Sequence, residues 1–76
     1  MKAVAIKKGQ VREQAPGYTD MGTLRCDGCG EEFVIFHEPT FVDPGAAQRQ
    51  ALWLEKVLAY EHEREQKHTD RIQLPD

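Results

Sequence analysis

The chain has 76 residues, 39% of them apolar and 30% charged, and a formal net charge of −3. Those figures exclude a disordered tail, and no apolar run approaches the roughly 20 residues that a membrane-spanning helix needs. A core this small is marginal on its own, so a metal, disulfides or a partner is expected to support it.

The charge is unevenly placed. Residues 1–30 hold five Lys/Arg against three Asp/Glu, and residues 31–76 hold five against ten. A nucleic-acid polyanion has little electrostatic reason to approach the second half. The chain contains no serine, which rules out a serine nucleophile. The apolar run in residues 1–8 is too short for a signal peptide, so a cytoplasmic location is expected. In a reducing cytosol, two cysteines two residues apart read as a metal or redox pair and not as a structural disulfide.

In chain order, residues 2–7 alternate weakly, with Val4 and Ile6 on one face, and predict a first strand. Lys7-Lys8-Gly9 follows as a turn. Residues 9–20 form a loop that turns at Pro16-Gly17, with Val11 able to extend a short strand. Residues 21–25 are a short strand running into Cys26-Asp27-Gly28-Cys29-Gly30. Residues 32–37, rich in β-branched and aromatic side chains, carry the clearest strand signal. Residues 21–37 are therefore a hairpin with a cysteine turn, and its glycines supply the backbone freedom that lets both sulfurs face one centre.

A long helix is predicted within residues 43–68, with Asp43 as N-cap, Pro44 in the first helical position and an end near Lys67. Ala47, Ala51, Leu54 and Leu58 form its buried stripe, which His62 continues; Trp53, Val57 and Tyr60 widen it. Gln48, Gln50, Glu55, Lys56, Glu63 and Arg64 are the expected wet side, and the acidic run Glu61, Glu63 and Glu65 is expected to be a solvated helix face that would repel phosphate. The tail, residues 69–76, alternates over 71–75 and can lie as an extended edge segment. The expected fold is α+β: a two- or three-stranded antiparallel sheet with a knuckle turn, packed against one long C-terminal helix in a single metal-stabilised domain.

Structural zinc takes four tetrahedral ligands, usually thiolates and imidazoles. Cys26 and Cys29 supply two. His62 and His68 complete the set, and His37, at a strand end, is the alternative ligand. Six residues of uninterrupted helix turn through about 600°, so the rings of His62 and His68 would diverge. They converge only if the helix ends or distorts before His68. Mixed sulfur and nitrogen ligation favours Zn2+ over iron.

Cys26-x2-Cys29-x3-Phe33, then a helix with Leu58 before His62, then His68-Thr69, resembles the ββα zinc finger with two cysteines and two histidines. The likeness covers residues 24–69. It departs from the family in the 32 residues between Cys29 and His62, where a finger has about twelve. The leucine also lies four residues before the histidine, where the family has three. The resemblance implies a structural zinc ion. It does not carry over DNA reading, because finger base contacts lie near the helix start, where only Gln48, Arg49 and Gln50 suit them.

Three other readings have sequence support. A redox dithiol normally sits at a helix N-terminus, whereas this pair precedes a strand. His62-Glu63 begins a zincin motif, but the position of its second histidine holds Gln66. Lys2, Lys7, Lys8, Arg12 and Arg25, with Tyr18, could form a basic patch for nucleic acid. The preferred expectation is a non-catalytic zinc protein, without catalytic residues, that binds another protein through the bare sheet face or the 9–20 loop. The alternative is a weak nucleic-acid binder, and neither reading places the chain on a membrane.

Overall fold

The protein is described as a computed structural model covering residues 3–13, 17–38 and 45–75. The chain runs through β1 (Ala3–Lys7), a 3-10 segment (Lys8–Glu13), β2 (Thr19–Arg25), β3 (Glu32–His37), α1 (Ala46–Glu65) and β4 (Arg71–Leu74). The fold is α+β, as expected. The four strands form one sheet in the order β2-β3-β1-β4, and every neighbouring pair is antiparallel.

The sheet therefore has four strands where two or three were expected, and the helix is not C-terminal but lies mid-chain, with β4 after it. The alternating tail Arg71–Leu74 pairs along β1, with Ala5 opposite Ile72 and Ala3 opposite Leu74. Its two apolar residues are buried and its two polar ones exposed, the period of two that a half-covered edge strand requires. Pairing on both sides makes β1 a central strand.

Alternation sorts the sheet's side chains into two packed layers. Ala3, Ala5, Phe33, Ile35, Ile72 and Leu74 face α1 and pack with Leu54, Leu58 and Cys26. Val4, Ile6, Val34 and Phe36 point the other way, with Val11 and Tyr18 packed against them. Val4 and Ile6 do share a face, but it is the one opposite the helix. That face is not bare, since its four residues are buried. Val11 reaches it from the 3-10 segment instead of extending a strand.

The edge strand β2 is largely exposed. Its pairing with β3 slips between Asp20 and Thr23, where Gly22 takes φ +122° and donates its N–H to Asp20 Oδ1 at 2.8 Å. A bulge of this kind twists an edge strand and discourages further pairing.

The proposed N-cap Asp43 and Pro44 lie outside the described residues. Helix α1 buries Ala46, Gln50, Leu54 and Leu58, four residues spaced i, i+4. Ala51, Val57, Glu61 and His62 are half-buried beside them. Gln50 thus belongs to the buried stripe, whereas Ala47, Trp53 and Tyr60 are exposed. Each residue turns the helix by about 100°, so Trp53 lies a quarter-turn off the Leu54 line and Tyr60 falls nearly opposite Leu58. The sheet covers only one arc of the helix, and those rings fall outside it.

The helix ends at Glu65, before the expected Lys67. Gln66 takes the left-handed conformation (φ 59°, ψ 21°) and its N–H bridges the carbonyls of Glu61 and His62 at 3.2 and 3.0 Å. This stop satisfies two terminal carbonyls and reverses the chain towards the sheet.

Candidate metal centre

The cysteine turn is closed by two main-chain bonds. Gly30 N–H donates to Cys26 C=O at 2.8 Å, and Cys26 N–H donates to Glu31 C=O at 2.9 Å. Gly30 sits at φ +79°, a conformation that glycine takes without the Cβ penalty. Cys26 is buried and Cys29 exposed, and both thiols are free.

His62 comes from the last turns of α1. Its ring lies against Gly28, where a side-chain Cβ would come within 2.5 Å of His62 Nε2. Its Nδ1 is buried and has no hydrogen-bond partner. His68, which is buried, comes from the connector between α1 and β4. Its Nε2 lies 3.4 Å from Cys29 Sγ, and its Nδ1 lies 3.2 Å from Glu61 Oε1. Phe33 meets its ring edge-on, with centroids 5.9 Å apart.

The reversal at Gln66 is what brings the two histidines together, at 6.4 Å between ring centroids. The expectation that the helix must finish before His68 is met. One donor atom from each of Cys26, Cys29, His62 and His68 lies within 4.8 Å of all the others. In a tetrahedral zinc site with ordinary bond lengths, sulfur and nitrogen ligands are about 3.6 Å apart. The Cys29–His68 separation is already close to that value.

The donor chemistry fits a soft to borderline divalent ion: two thiolates neutralise its charge and two imidazoles fill the shell. The buried, unpartnered Nδ1 of His62 is a further mark, since such an atom is costly unless something accepts its lone pair or proton. His37 belongs elsewhere. It stands at the end of β3 away from the cysteine turn, about 17 Å along the strand from Glu32. Its Nδ1 lies 2.6 Å from Glu38 O.

The sequence reading overlooked Glu61, which it assigned to a solvated acidic face. It also missed the contact role of Gly28. Neither residue belongs to a spacing pattern, and the only clue to Glu61 was its place beside a candidate ligand. Phe33, singled out as the aromatic of the finger pattern, is fully buried and does reach the site.

Two residues of the proposed basic patch already face carboxylates. Lys7 lies 3.3 Å from Asp70 and 3.7 Å from Glu31, and Lys8 lies 3.8 Å from Glu32. Lys2 and the side chain of Arg12 lie outside the described residues, and Tyr18 is half-buried against the second layer. No helix among the described residues is long and apolar enough to cross a membrane.

A four-ligand cluster on a sheet-plus-helix frame is compatible with a ββα finger-like arrangement, here with β1 and β4 added to the hairpin. Comparison of the chain with protein-family models, with curated proteins and with solved structures finds no match in any of the three.

Proposed function

We propose that this chain is a small zinc-binding module whose ion is a structural cross-link, and that it acts by binding another protein. The observation that carries the reading is the convergence of four donors from three separate parts of the chain: the β2–β3 turn, the end of α1 and the α1–β4 connector. Four protein ligands leave no open coordination position for a catalytic water, which favours a structural ion over an enzyme. An ion held this way ties the helix end and the last strand to the hairpin. In finger peptides such binding supplies about 10–16 kcal/mol, which becomes folding free energy in a chain this small. A reducing compartment such as the cytoplasm would keep both thiols available as ligands.

The protein-binding part of the proposal rests on α1. Leu52, Trp53 and Tyr60 are 54%, 44% and 58% exposed on its outer side. Aromatic side chains are enriched in the anchors of protein interfaces. Nucleic-acid binding is the weaker reading, because Lys7 and Lys8 already face carboxylates.

Elemental analysis of the purified protein, paired with amide spectra before and after a strong chelator, tests the reading. One zinc ion per chain and loss of spectral dispersion on chelation are expected. A metal-free protein with an unchanged spectrum would overturn it. Retention on heparin that falls steeply with salt would move the function to nucleic acid.

A further inference from the structure

We propose that Glu61 is a positioning residue for the metal centre: its carboxylate holds the His68 ring so that Nε2, and not Nδ1, faces the two cysteines. The inference rests on the zinc reading and deepens it.

The geometry is specific. The His68 side chain is 1% exposed, and its two ring nitrogens have different neighbours. Nδ1 lies 3.2 Å from Glu61 Oε1, and Nε2 lies 3.4 Å from Cys29 Sγ. A neutral imidazole carries one N–H and one lone pair. A carboxylate can only accept, so the proton belongs on Nδ1 and the lone pair on Nε2, the atom turned towards the other donors.

The fold supplies this pairing at long range. Glu61 stands on the last turns of α1, next to His62, and its carbonyl accepts the N–H of Gln66 at the helix stop. The same reversal that ends the helix therefore returns His68 to the Glu61 side chain. Glu61 is only 22% exposed, whereas Glu63 and Glu65 are fully on the wet side. The His62 ring instead lies against Gly28, and its unpartnered Nδ1 is itself a candidate donor atom. The two histidines thus differ: one is held by a carboxylate, the other by the shape of the Gly28 turn. Histidine ligands generally donate their second nitrogen to such a group, and losing it weakens metal binding by about 10–100-fold.

The test is zinc affinity by competition with a chromophoric chelator, on the full chain and on Glu61→Ala, Glu61→Gln and Glu63→Ala, together with 15N shifts of the His68 ring. Glu61→Ala is expected to bind one ion per chain but about 10–100-fold more weakly. Glu61→Gln keeps an accepting oxygen without the charge and is expected to lose about tenfold or less. Glu63→Ala is expected to match the parent. The zinc-loaded parent should show His68 protonated at Nδ1.

Parent-like affinity in Glu61→Ala, within twofold, would overturn the inference while leaving the zinc reading intact. An equal loss in Glu63→Ala would also overturn it, by assigning the effect to the acidic helix as a whole. Should Glu61→Ala fail to fold, Glu61→Met decides, because it fills the space without an accepting oxygen: affinity within twofold of the parent overturns the inference. A parent that binds no zinc removes the zinc reading and this inference together.

Discussion

The imidazole of His62 occupies the space that a side chain at Gly28 would need. A Cβ at that position would lie 2.5 Å from His62 Nε2 and 2.9 Å from Cγ. Gly28 takes none of the left-handed backbone angles found at Gly17, Gly22 and Gly30, so its requirement is close approach and not conformation. Gly28→Ala is expected to push the ring away from the cysteines and to cost about 1–3 kcal/mol, the usual penalty of overpacking. Chelator competition should show weaker zinc binding, and the chemical denaturation midpoint should fall. A Gly28→Ala protein with parent affinity and midpoint would show that His62 has another place to sit.

The five sulfur and imidazole candidates should separate cleanly in a ligand scan. Single replacement of Cys26, Cys29, His62 or His68 by alanine removes one of four donors and is expected to abolish stoichiometric zinc at micromolar concentration. His37→Ala should retain one ion per chain, although loss of a buried polar side chain should still lower stability by about 1–3 kcal/mol. Metal content by mass spectrometry under native conditions distinguishes the two outcomes.

Chelation should loosen the structure unevenly. His68 lies three residues before β4, and β4 pairs only with β1 at the sheet edge. Removing the ion is expected to speed amide exchange in Ile72 and Gln73 before Val34 and Ile35, which lie in a strand paired on both sides. Simultaneous loss of protection in β3 and β4 would instead indicate that the ion supports the whole fold in one cooperative unit.

Burial on α1 makes a contrasting prediction for stability and binding. Leu54→Ala and Leu58→Ala empty fully buried sites and are expected to cost about 2–5 kcal/mol. Trp53→Ala and Leu52→Ala remove exposed side chains and should change the stability of the zinc-loaded monomer by no more than about 0.5 kcal/mol. Urea denaturation measures both sets. If the outer face of α1 binds a protein, the second pair should lose the partner while keeping the fold.

The helix stop offers a gain. Gln66 is the one non-glycine residue with positive φ among the described residues. Gln66→Gly relieves the left-handed penalty and is expected to stabilise by about 0.5–1 kcal/mol, raising Tm by a few degrees. A lower Tm would mean that the Gln66 side chain contributes more than its backbone costs.

Much of the architecture was legible because it depends on local chemistry. The Cys-Asp-Gly-Cys-Gly turn, the strand at Glu32–His37 and the long helix each carry their own signal in spacing or residue type, and all three are present. The requirement that the helix stop before His68 also followed from 3.6 residues per turn. What tertiary structure decided were choices between local options. Residue type favoured the rings of Trp53 and Tyr60 for the buried face and the polar Gln50 for the wet side, whereas the sheet covers the arc that runs through Gln50, Leu54 and Leu58. The tail became a strand because β1 had a free edge beside Ala3 and Ala5. Glu61 looked like one more charge on an acidic helix, and the chain reversal at Gln66 brought His68 to it. Residue types and spacings determine which groups can bind a metal or fill a core; contacts between residues far apart in sequence determine which of them meet.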